Sequence, residues 1–232
     1  MNLIFAGLWG GIMGIIIHYL CQSFMYRLKY ELSQSYQLLF EHKNDLSIQH
    51  RSLSFSHSLK CGHFWLYFFS FACLFILFFL LIEPWQYTII YCLFISITGA
   101  ISIIDWQHRL ISLSLCQCLL WLSLIVAWLE WHFLSLEQVL TSIMLGFSCC
   151  YLLYYLSRWI WQKEALGRGD YWLVAGLVGF IPYSELPLFF FIASSMGLSY
   201  AFYQYLRGNR LTEIPFAPFL SLSAAFLLFF KL

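Results

Sequence analysis

Two aspartates are the residues of this chain best suited to carry out chemistry. Asp105 ends an apolar run just before the polar residues 106–109, and Asp170 closes the tetrad 167–170, which reads Gly-Arg-Gly-Asp. Both stand at the rim of apolar segments, where an ionisable side chain is costly and therefore indicates a functional site. Peptide hydrolysis needs a general base that activates water and a general acid that protonates the leaving nitrogen, and two carboxyls sharing one proton supply both. The pair predicts an aspartyl protease that works in a membrane.

Each aspartate taken alone also has a purely structural explanation. Asp170 stands where an N-cap would stand at the start of the next helix, and Asp105 is equally well explained as an interfacial charge paired with residues 108–109 (His-Arg). Gly167 and Gly169 favour a catalytic role, because the absence of side chains beside Asp170 would let a substrate backbone approach closely. The two aspartates together, at matching depth in a membrane, favour the protease.

The composition indicates the class of protein that carries these aspartates. Of the 232 residues, 62% are hydrophobic and only 10% are charged, and the mean hydropathy is +0.77. A water-soluble domain would have about 25% charged residues. The chain is therefore predicted to be an all-α, polytopic bundle of transmembrane helices. The net charge of +1 gives no indication of a nucleic-acid partner; the expected surroundings are a lipid bilayer.

Apolar segments give the expected organisation of the bundle. Most are close to the roughly 20 residues that a helix needs to cross a bilayer. We expect a single membrane domain over 1–232, with a cytoplasmic loop at about 25–62 and a peptidase core at about 88–230. The first segment has no basic region before it and no small-x-small cleavage site, which favours a retained helix over a signal peptide. About eight segments are predicted to span the membrane: 4–24, 63–83, 88–104, 111–129, 138–160, 171–182, 186–206 and 215–230.

The basic residues predict how the bundle is oriented. With the amino terminus outside, the loops on one side are 25–62, 105–110, 161–170 and 207–214. Together with Arg158 at the end of the fifth span, that side then holds eleven of the twelve Lys and Arg residues: Arg27, Lys29, Lys43, Arg51, Lys60, Arg109, Arg158, Lys163, Arg168, Arg207 and Arg210. Loops on the cytoplasmic side of membrane proteins carry such an excess of positive charge. The pattern places Asp105 and Asp170 at the cytoplasmic face.

The eight cysteines and seven histidines do not predict a metal site. Seven of the cysteines lie within apolar segments, where a thiol behaves as a small hydrophobe. Cys61 lies near His63, but one thiolate and one imidazole cannot complete a tetrahedral zinc site. The chain also has no His-Glu-x-x-His sequence, which disfavours a zinc metalloprotease.

Three stretches resemble motifs of the type IV prepilin leader peptidases. Residues 104–111 (IDWQHRLI) are similar to the motif of the first catalytic aspartate, and residues 163–170 (KEALGRGD) are similar to that of the second. Residues 214–220 (IPFAPFL) resemble a late Pro-Phe-Gly-Pro-x-Leu element of the family. The order and spacing of the three stretches, over about residues 90–225, make the resemblance specific.

The resemblance implies an activity, a location and a set of site residues. Members of this family cleave the short basic leader from prepilins and pseudopilins after a glycine, at the cytoplasmic face of the bacterial inner membrane. The long apolar amino-terminal helix of the mature subunit stays in the bilayer. The residues implied to act are the catalytic pair Asp105 and Asp170 and the positioning residues Gly167, Gly169, Pro215 and Pro218. The peptidase reaction needs no cofactor.

Some positions depart from the family pattern and leave alternatives open. Trp172 stands where the family commonly has Lys, Ala217 replaces the glycine of the late motif, and Ile111 is followed by Ser112 instead of Pro. A catalytically degenerate homologue, or a scaffold subunit of a pilus, secretion or DNA-uptake system, is the alternative. A transporter is disfavoured because no acidic or basic residue lies near the middle of a predicted span.

A second activity depends on the amino-terminal region. Many members of the family also methylate the new amino terminus with S-adenosylmethionine, and they carry a Gly-Ser-Phe-x-Asn type of run and often two Cys-x-x-Cys pairs there. The counterpart here is 18–27, in which only Tyr26-Arg27 matches well, and the paired cysteines are missing. N-methylation therefore stays open, with S-adenosylmethionine as the cofactor if it is retained.

Overall fold

The fold is a bundle of helices. The computed structural model describes residues 3–39, 63–83, 85–131, 133–162, 167, 169–208 and 214–230. All regular structure in these ranges is helical, which confirms the predicted all-α class. A 3-10 turn, Tyr183–Glu185, precedes the seventh α-helix. The α-helices are α1 Leu3–Leu39, α2 Phe64–Leu81, α3 Trp85–His108, α4 Leu113–Trp128, α5 Leu136–Trp161, α6 Asp170–Val178, α7 Leu186–Leu206 and α8 Ala217–Phe229.

Five helical segments of the described ranges are long and apolar enough to cross a membrane: α1, α2, α3, α5 and Tyr183–Leu206. Helices α4 and α8 are apolar but shorter, with 16 and 13 residues, and α6 has only 9. Because a helix rises about 1.5 Å per residue, α6 covers about 14 Å of a hydrocarbon core about 30 Å thick. Eight full-length spans are therefore not confirmed. The apolar runs of the sequence include turn residues, such as 179–182, that add no helical rise.

Helix α1 continues beyond the apolar segment from which it was predicted. It runs to Leu39, although the sequence becomes polar after residue 24. No Gly or Pro interrupts residues 15–61, and a helix without such a breaker extends past the end of its apolar run. Residues 25–39 of the segment predicted as a cytoplasmic loop over 25–62 are therefore helical, and its cytoplasmic location stays a prediction. Residues 40–62 lie outside the described part of the chain.

Helix α6 lies within the main apolar core. Residues 173–178 of this helix are all buried, and α6 packs against α4, α5 and α8. The same core contains Phe94 of α3, Leu119 of α4, Phe189 of α7 and Leu220 of α8, whose side chains are fully buried. The close packing of these side chains holds the first residue of α6, Asp170, in a fixed position relative to α3 and α8.

Helices α1 and α2 form a closely packed pair beside this core. A Cβ atom at Gly10 of α1 would stand 2.5 Å from the carbonyl oxygen of Phe71 and 2.9 Å from the Cα of Ala72, both in α2. Glycine lets the two backbones approach this closely, as small residues do between membrane helices. Both helices also contact α3, which connects the pair to the helix that carries Asp105.

Replacing Gly10 with Ala should loosen the α1–α2 pair, because the added methyl group meets backbone atoms that cannot move aside. We expect Gly10→Ala to lower stability by about 1–3 kcal/mol, measured as a lower melting temperature of the purified protein in detergent. The matched control is Gly7→Ala, whose Cβ would lie 3.1 Å from the flexible end of Ile76. Equal melting temperatures for the two variants would contradict this packing.

Candidate active site

The Asp105 carboxyl is buried at the cytoplasmic end predicted for α3 and is held by the start of α8. Its side chain is only 5% exposed, and its Oδ2 accepts a hydrogen bond from the backbone N–H of Ala217 at 3.0 Å. Ala217 is the first residue of α8, and the preceding Phe216 provides no side-chain cap. The first N–H groups of a helix have no partner within the helix, and the helix dipole favours a negative charge there. Asp105 is therefore both bonded and stabilised electrostatically by α8, and is not an exposed rim charge.

Two prolines shape this helix start. Pro218 occupies the second position of α8, where the missing N–H costs nothing and the fixed φ angle suits a helix. Pro215 is buried just before the helix. Both residues flank Ala217, so they bear on where its N–H points. The two prolines can therefore orient the Ala217 N–H that donates to Asp105. Whether they also contact a substrate stays a prediction.

The Asp170 carboxyl is buried in a tight turn with Gly167. Its side chain is 8% exposed, and its Oδ2 accepts a hydrogen bond from the Gly167 N–H at 3.0 Å. The backbone N–H of Asp170 donates in return to the Gly167 carbonyl at 3.1 Å. The N-cap explanation of Asp170 is wrong: Gly169 is the N-cap of α6 and Asp170 is its first helical residue. The carboxyl accepts its hydrogen bond from the loop that precedes the helix, and not from the first turn of the helix.

The two predicted glycines lie in different surroundings. A Cβ atom at Gly169 would stand 2.7 Å from the Cβ of Ile111, so glycine here allows the segment after Asp105 to pack directly against the approach to Asp170. Gly167 is exposed, and a Cβ there would lie 3.1 Å from the Asp170 Oδ2. A side chain at position 167 would therefore cover the carboxyl. The approach of a substrate over Gly167 remains a prediction.

Burial and mutual repulsion set the proton affinity of the pair. Burial, as the main cause, raises the pKa of Asp170 from 3.8 to about 7; the negative charge of Asp105 raises it further, and the Gly167 N–H opposes the rise. The two carboxyls are therefore close enough to repel each other. When two such groups share a site, one keeps a proton while the other is charged, and they titrate as a unit. This pair can hold one proton near neutral pH.

Apolar and aromatic side chains surround Asp170. The thiols of Cys116 and Cys150 are buried and lie within electrostatic range of its carboxyl. Trp172, where the resembled family commonly has Lys, packs its ring 5.5 Å from that of Phe147. The substitution therefore extends an apolar wall and brings no positive charge to the site. Among the residues that the structure describes, no three His, Cys, Asp or Glu side chains converge to hold a metal ion.

The structure brings all six predicted site residues to one end of the bundle, and it adds two that the sequence did not indicate. These are the N–H of Ala217, which holds Asp105, and Ile111, which packs on Gly169. The late motif contained a signal for the first: a helix that starts without Ser, Thr, Asp or Asn at its N-cap needs an acceptor from elsewhere. No local signal indicates the Ile111 contact, because it joins two distant loops.

The apolar helices and the two interacting carboxyls define a polytopic helical membrane protein with a paired-carboxylate site. The chain belongs to the type IV leader peptidase family, whose family model matches residues 92–202. It is 34% identical over 224 residues to a prepilin leader peptidase/N-methyltransferase of Haemophilus influenzae, and this match covers 97% of the chain and 95% of the relative. The matched family segment contains both Asp105 and Asp170.

Two further relatives are longer than this chain. A leader peptide-processing enzyme of type 4 prepilin-like proteins from Escherichia coli O78:H11 is 37% identical over 123 residues, which are 53% of this chain and 45% of the relative. A prepilin leader peptidase/N-methyltransferase of Dichelobacter nodosus is 33% identical over 124 residues, 53% of this chain and 42% of the relative. The match to these two thus covers less than half of their length. No solved structure matches the chain.

The raised pKa of Asp170 predicts how stability depends on pH. Between pH 4 and 7 the folded protein keeps a proton on this carboxyl that the unfolded chain releases, so stability falls as pH rises and the loss is complete above about pH 7. The loss is on the order of 4 kcal/mol. Asp170→Asn removes the charge and should be more stable than the natural protein at pH 8, with little difference at pH 4.

The measurement is the melting temperature in detergent at both pH values. Glu137→Gln is the control, because it removes the same charge from an exposed position on α5. If the melting temperatures of Asp170→Asn and the natural protein are equal at both pH values, burial does not hold the carboxyl in its protonated form.

Proposed function

We propose that the chain is an aspartyl endopeptidase that cleaves the basic leader from type IV prepilins or pseudopilins, after a glycine, at the cytoplasmic face of the bacterial inner membrane. The observation that carries the proposal is the pair of buried, mutually repelling carboxyls of Asp105 and Asp170 within the family segment 92–202. The names of the relatives support the class of substrate.

The roles of the two carboxyls follow from their surroundings. We assign Asp170 as the protonated member, since its pKa is about 7, and Asp105 as the charged member, whose carboxylate is bonded to the Ala217 N–H at the start of α8. Asp105 takes a proton from water, and the hydroxide attacks the scissile carbonyl carbon. Asp170 then gives its proton to the leaving nitrogen as the C–N bond breaks. After the cycle Asp105 holds the proton, and exchange within the pair restores the starting state.

The proposed orientation places the amino terminus outside and the chain across the membrane eight times. Besides the distribution of basic residues, contacts along α5 support a crossing by the short sixth segment. Tyr171 packs against Tyr154, and the turn residue Gly179 lies near Ile143. These two positions on α5 are eleven residues, or about 16 Å, apart. The segment and its turn therefore cover much of the depth that α6 alone does not.

The alternative of a degenerate homologue or a scaffold is not favoured. Ala217 provides the same backbone N–H that a glycine would provide, and this N–H already holds Asp105. Trp172 contacts Phe147 without displacing either carboxyl from its hydrogen bond. The departures from the family pattern therefore leave the acidic pair and its donors in place.

Asp105→Asn and Asp170→Asn should each abolish leader cleavage, because an amide can neither take up nor release the proton. We expect the cleavage rate to fall at least about a thousandfold for either variant. The assay is co-expression with a prepilin, with loss of the leader read by mass. Glu137→Gln, which changes an exposed carboxyl, is the control and should cleave normally.

The two aspartate variants should insert into the membrane as the natural protein does, which membrane fractionation checks. Normal processing by either variant would refute the assignment of the pair. Inactivity of the natural protein towards every prepilin and pseudopilin tested would instead favour the scaffold.

Methyl transfer from S-adenosylmethionine is the second candidate activity, because the Haemophilus influenzae relative is named as an N-methyltransferase as well as a peptidase. The described side chains of the amino-terminal counterpart segment pack against neighbouring helices. In the segment 18–27, the ring of His18 packs on Tyr67, the Cys21 thiol points to the Ala100 carbonyl, and Phe24 packs on His108. No step of the proposed mechanism uses the cofactor.

Leader cleavage should therefore proceed at the same rate with and without S-adenosylmethionine. The experiment uses purified protein in detergent and a prepilin, with the cofactor added or removed by dialysis. A cleavage rate that depends on the cofactor would contradict the mechanism. Labelled methyl groups on the new amino terminus, measured in the same samples, would establish the second activity independently of the rate.

A further inference from the structure

An apolar groove opens between α3, α7 and α8, and Phe78 of α2 also belongs to its lining. Its volume is about 560 Å³, and its lining includes Phe94 and Ile95 of α3, Ile192 and Met196 of α7, and Leu222 of α8. Helices α3 and α8 pack closely, as do α7 and α8, so α8 forms the floor and the other two helices form the walls. All of these elements lie in apolar segments, and the groove therefore opens to the bilayer.

The groove lies on the face of α3 that carries Asp105. Tyr91, Phe94, Thr98 and Asp105 follow one another at intervals of three, four and seven residues, which places them on one side of a helix. Tyr91 and Phe94 line the groove. Phe94 lies eleven residues, or about 17 Å, from Asp105 along the helix. The groove is therefore directly below the carboxyl pair in the membrane.

Helix α8 connects the groove to the site in the same way. Pro218, Leu222, Ala225 and Phe229 are spaced by four, three and four residues, so they also share one face. The last three line the groove, and Leu222 and Phe229 are about half exposed. Pro218 follows Ala217, whose N–H holds Asp105. A continuous apolar stripe thus runs from the carboxyl pair into the bilayer.

We propose that this groove binds the apolar amino-terminal helix of the prepilin substrate while its scissile bond lies at Asp105 and Asp170. The inference rests on the proposed function, which requires an apolar helix to stay in the bilayer directly after the scissile bond. A groove of this size accepts one face of a helix through side chains spaced three and four residues apart, as helix-binding grooves do. Its walls and floor carry no charge that would oppose such a helix.

The depth of the groove specifies which part of the substrate it contacts. Along α8, the lining residues 222–229 lie five to twelve residues from Ala217, about 8–18 Å into the membrane. A substrate helix parallel to this direction places its residues at about positions 5–12 after the scissile bond in the groove. The ring of Trp106 packs 5.3 Å from that of Tyr200 and joins α3 to α7 at the level of Asp105. The substrate helix therefore enters sideways, from the bilayer.

Two experiments test the inference: a bulky substitution that blocks the groove, and crosslinking that identifies the molecule bound in it. Met196→Trp places a large ring in the groove, and Met144→Trp makes the same change at an exposed position on α5, outside the lining. We expect Met196→Trp to lower kcat/KM for a full-length prepilin about tenfold and Met144→Trp to leave it unchanged. Melting temperatures of both variants control for folding.

A photo-crosslinking amino acid at position 196 or 144, in the Asp170→Asn background, identifies the occupant. Position 196 should crosslink to prepilin residues at about 5–12 after the scissile bond, and position 144 should not. Crosslinks to lipid alone, equal crosslinks from both positions, or normal cleavage by a folded Met196→Trp would overturn the inference. Failure of the natural protein to cleave prepilin would refute the proposed function instead, and is therefore distinguishable.

Discussion

Two buried carboxyls that repel each other are the constraint on which this structure depends. Neither stands alone: Asp105 is bonded to the start of α8, and Asp170 is bonded to its own preceding loop. The apolar core around α6 holds these donors in place, because a nine-residue helix buried along most of its length cannot shift without opening cavities. The packing of the bundle therefore keeps the two carboxyls within electrostatic range of each other.

The start of α8 serves both the polar and the apolar parts of the site. Its first N–H lies against Asp105, and one face of the same helix forms the floor of the groove in the bilayer. A substrate helix that settled against α8 would contact the element that also fixes the charged carboxyl. Recognition of the apolar helix and placement of the scissile bond would then depend on one rigid element, since α8 has no break between residues 217 and 229.

The sequence predicted the class of fold, because composition determines it. Short motifs also indicated the six candidate site residues, which the fold brings to one end of the bundle and whose roles stay a prediction. The sixth apolar run, which is the shortest and is ended by Pro182, indicated a half-length helix, but the sequence did not predict that this helix ends at Val178, since residues 179–181 form a turn. It also placed the end of α1 too early, because polar residues mark the end of the membrane and not the end of a helix. The contact of Gly169 with Ile111 depends on the tertiary fold, and no local pattern encodes it.

Asp105 accepts its hydrogen bond from the main chain of Ala217, and this determines which substitutions at position 217 the site tolerates. Any small residue at position 217 supplies the same N–H, and only proline, which has none, would remove it. Mutagenesis that exchanges side chains one at a time would pass over this donor. An ester in place of the amide at that position would remove the donor and leave the side chain unaltered. The hydrogen-bond donor to Asp105 is thus removed by proline or by a change of the backbone, and not by other exchanges of the side chain.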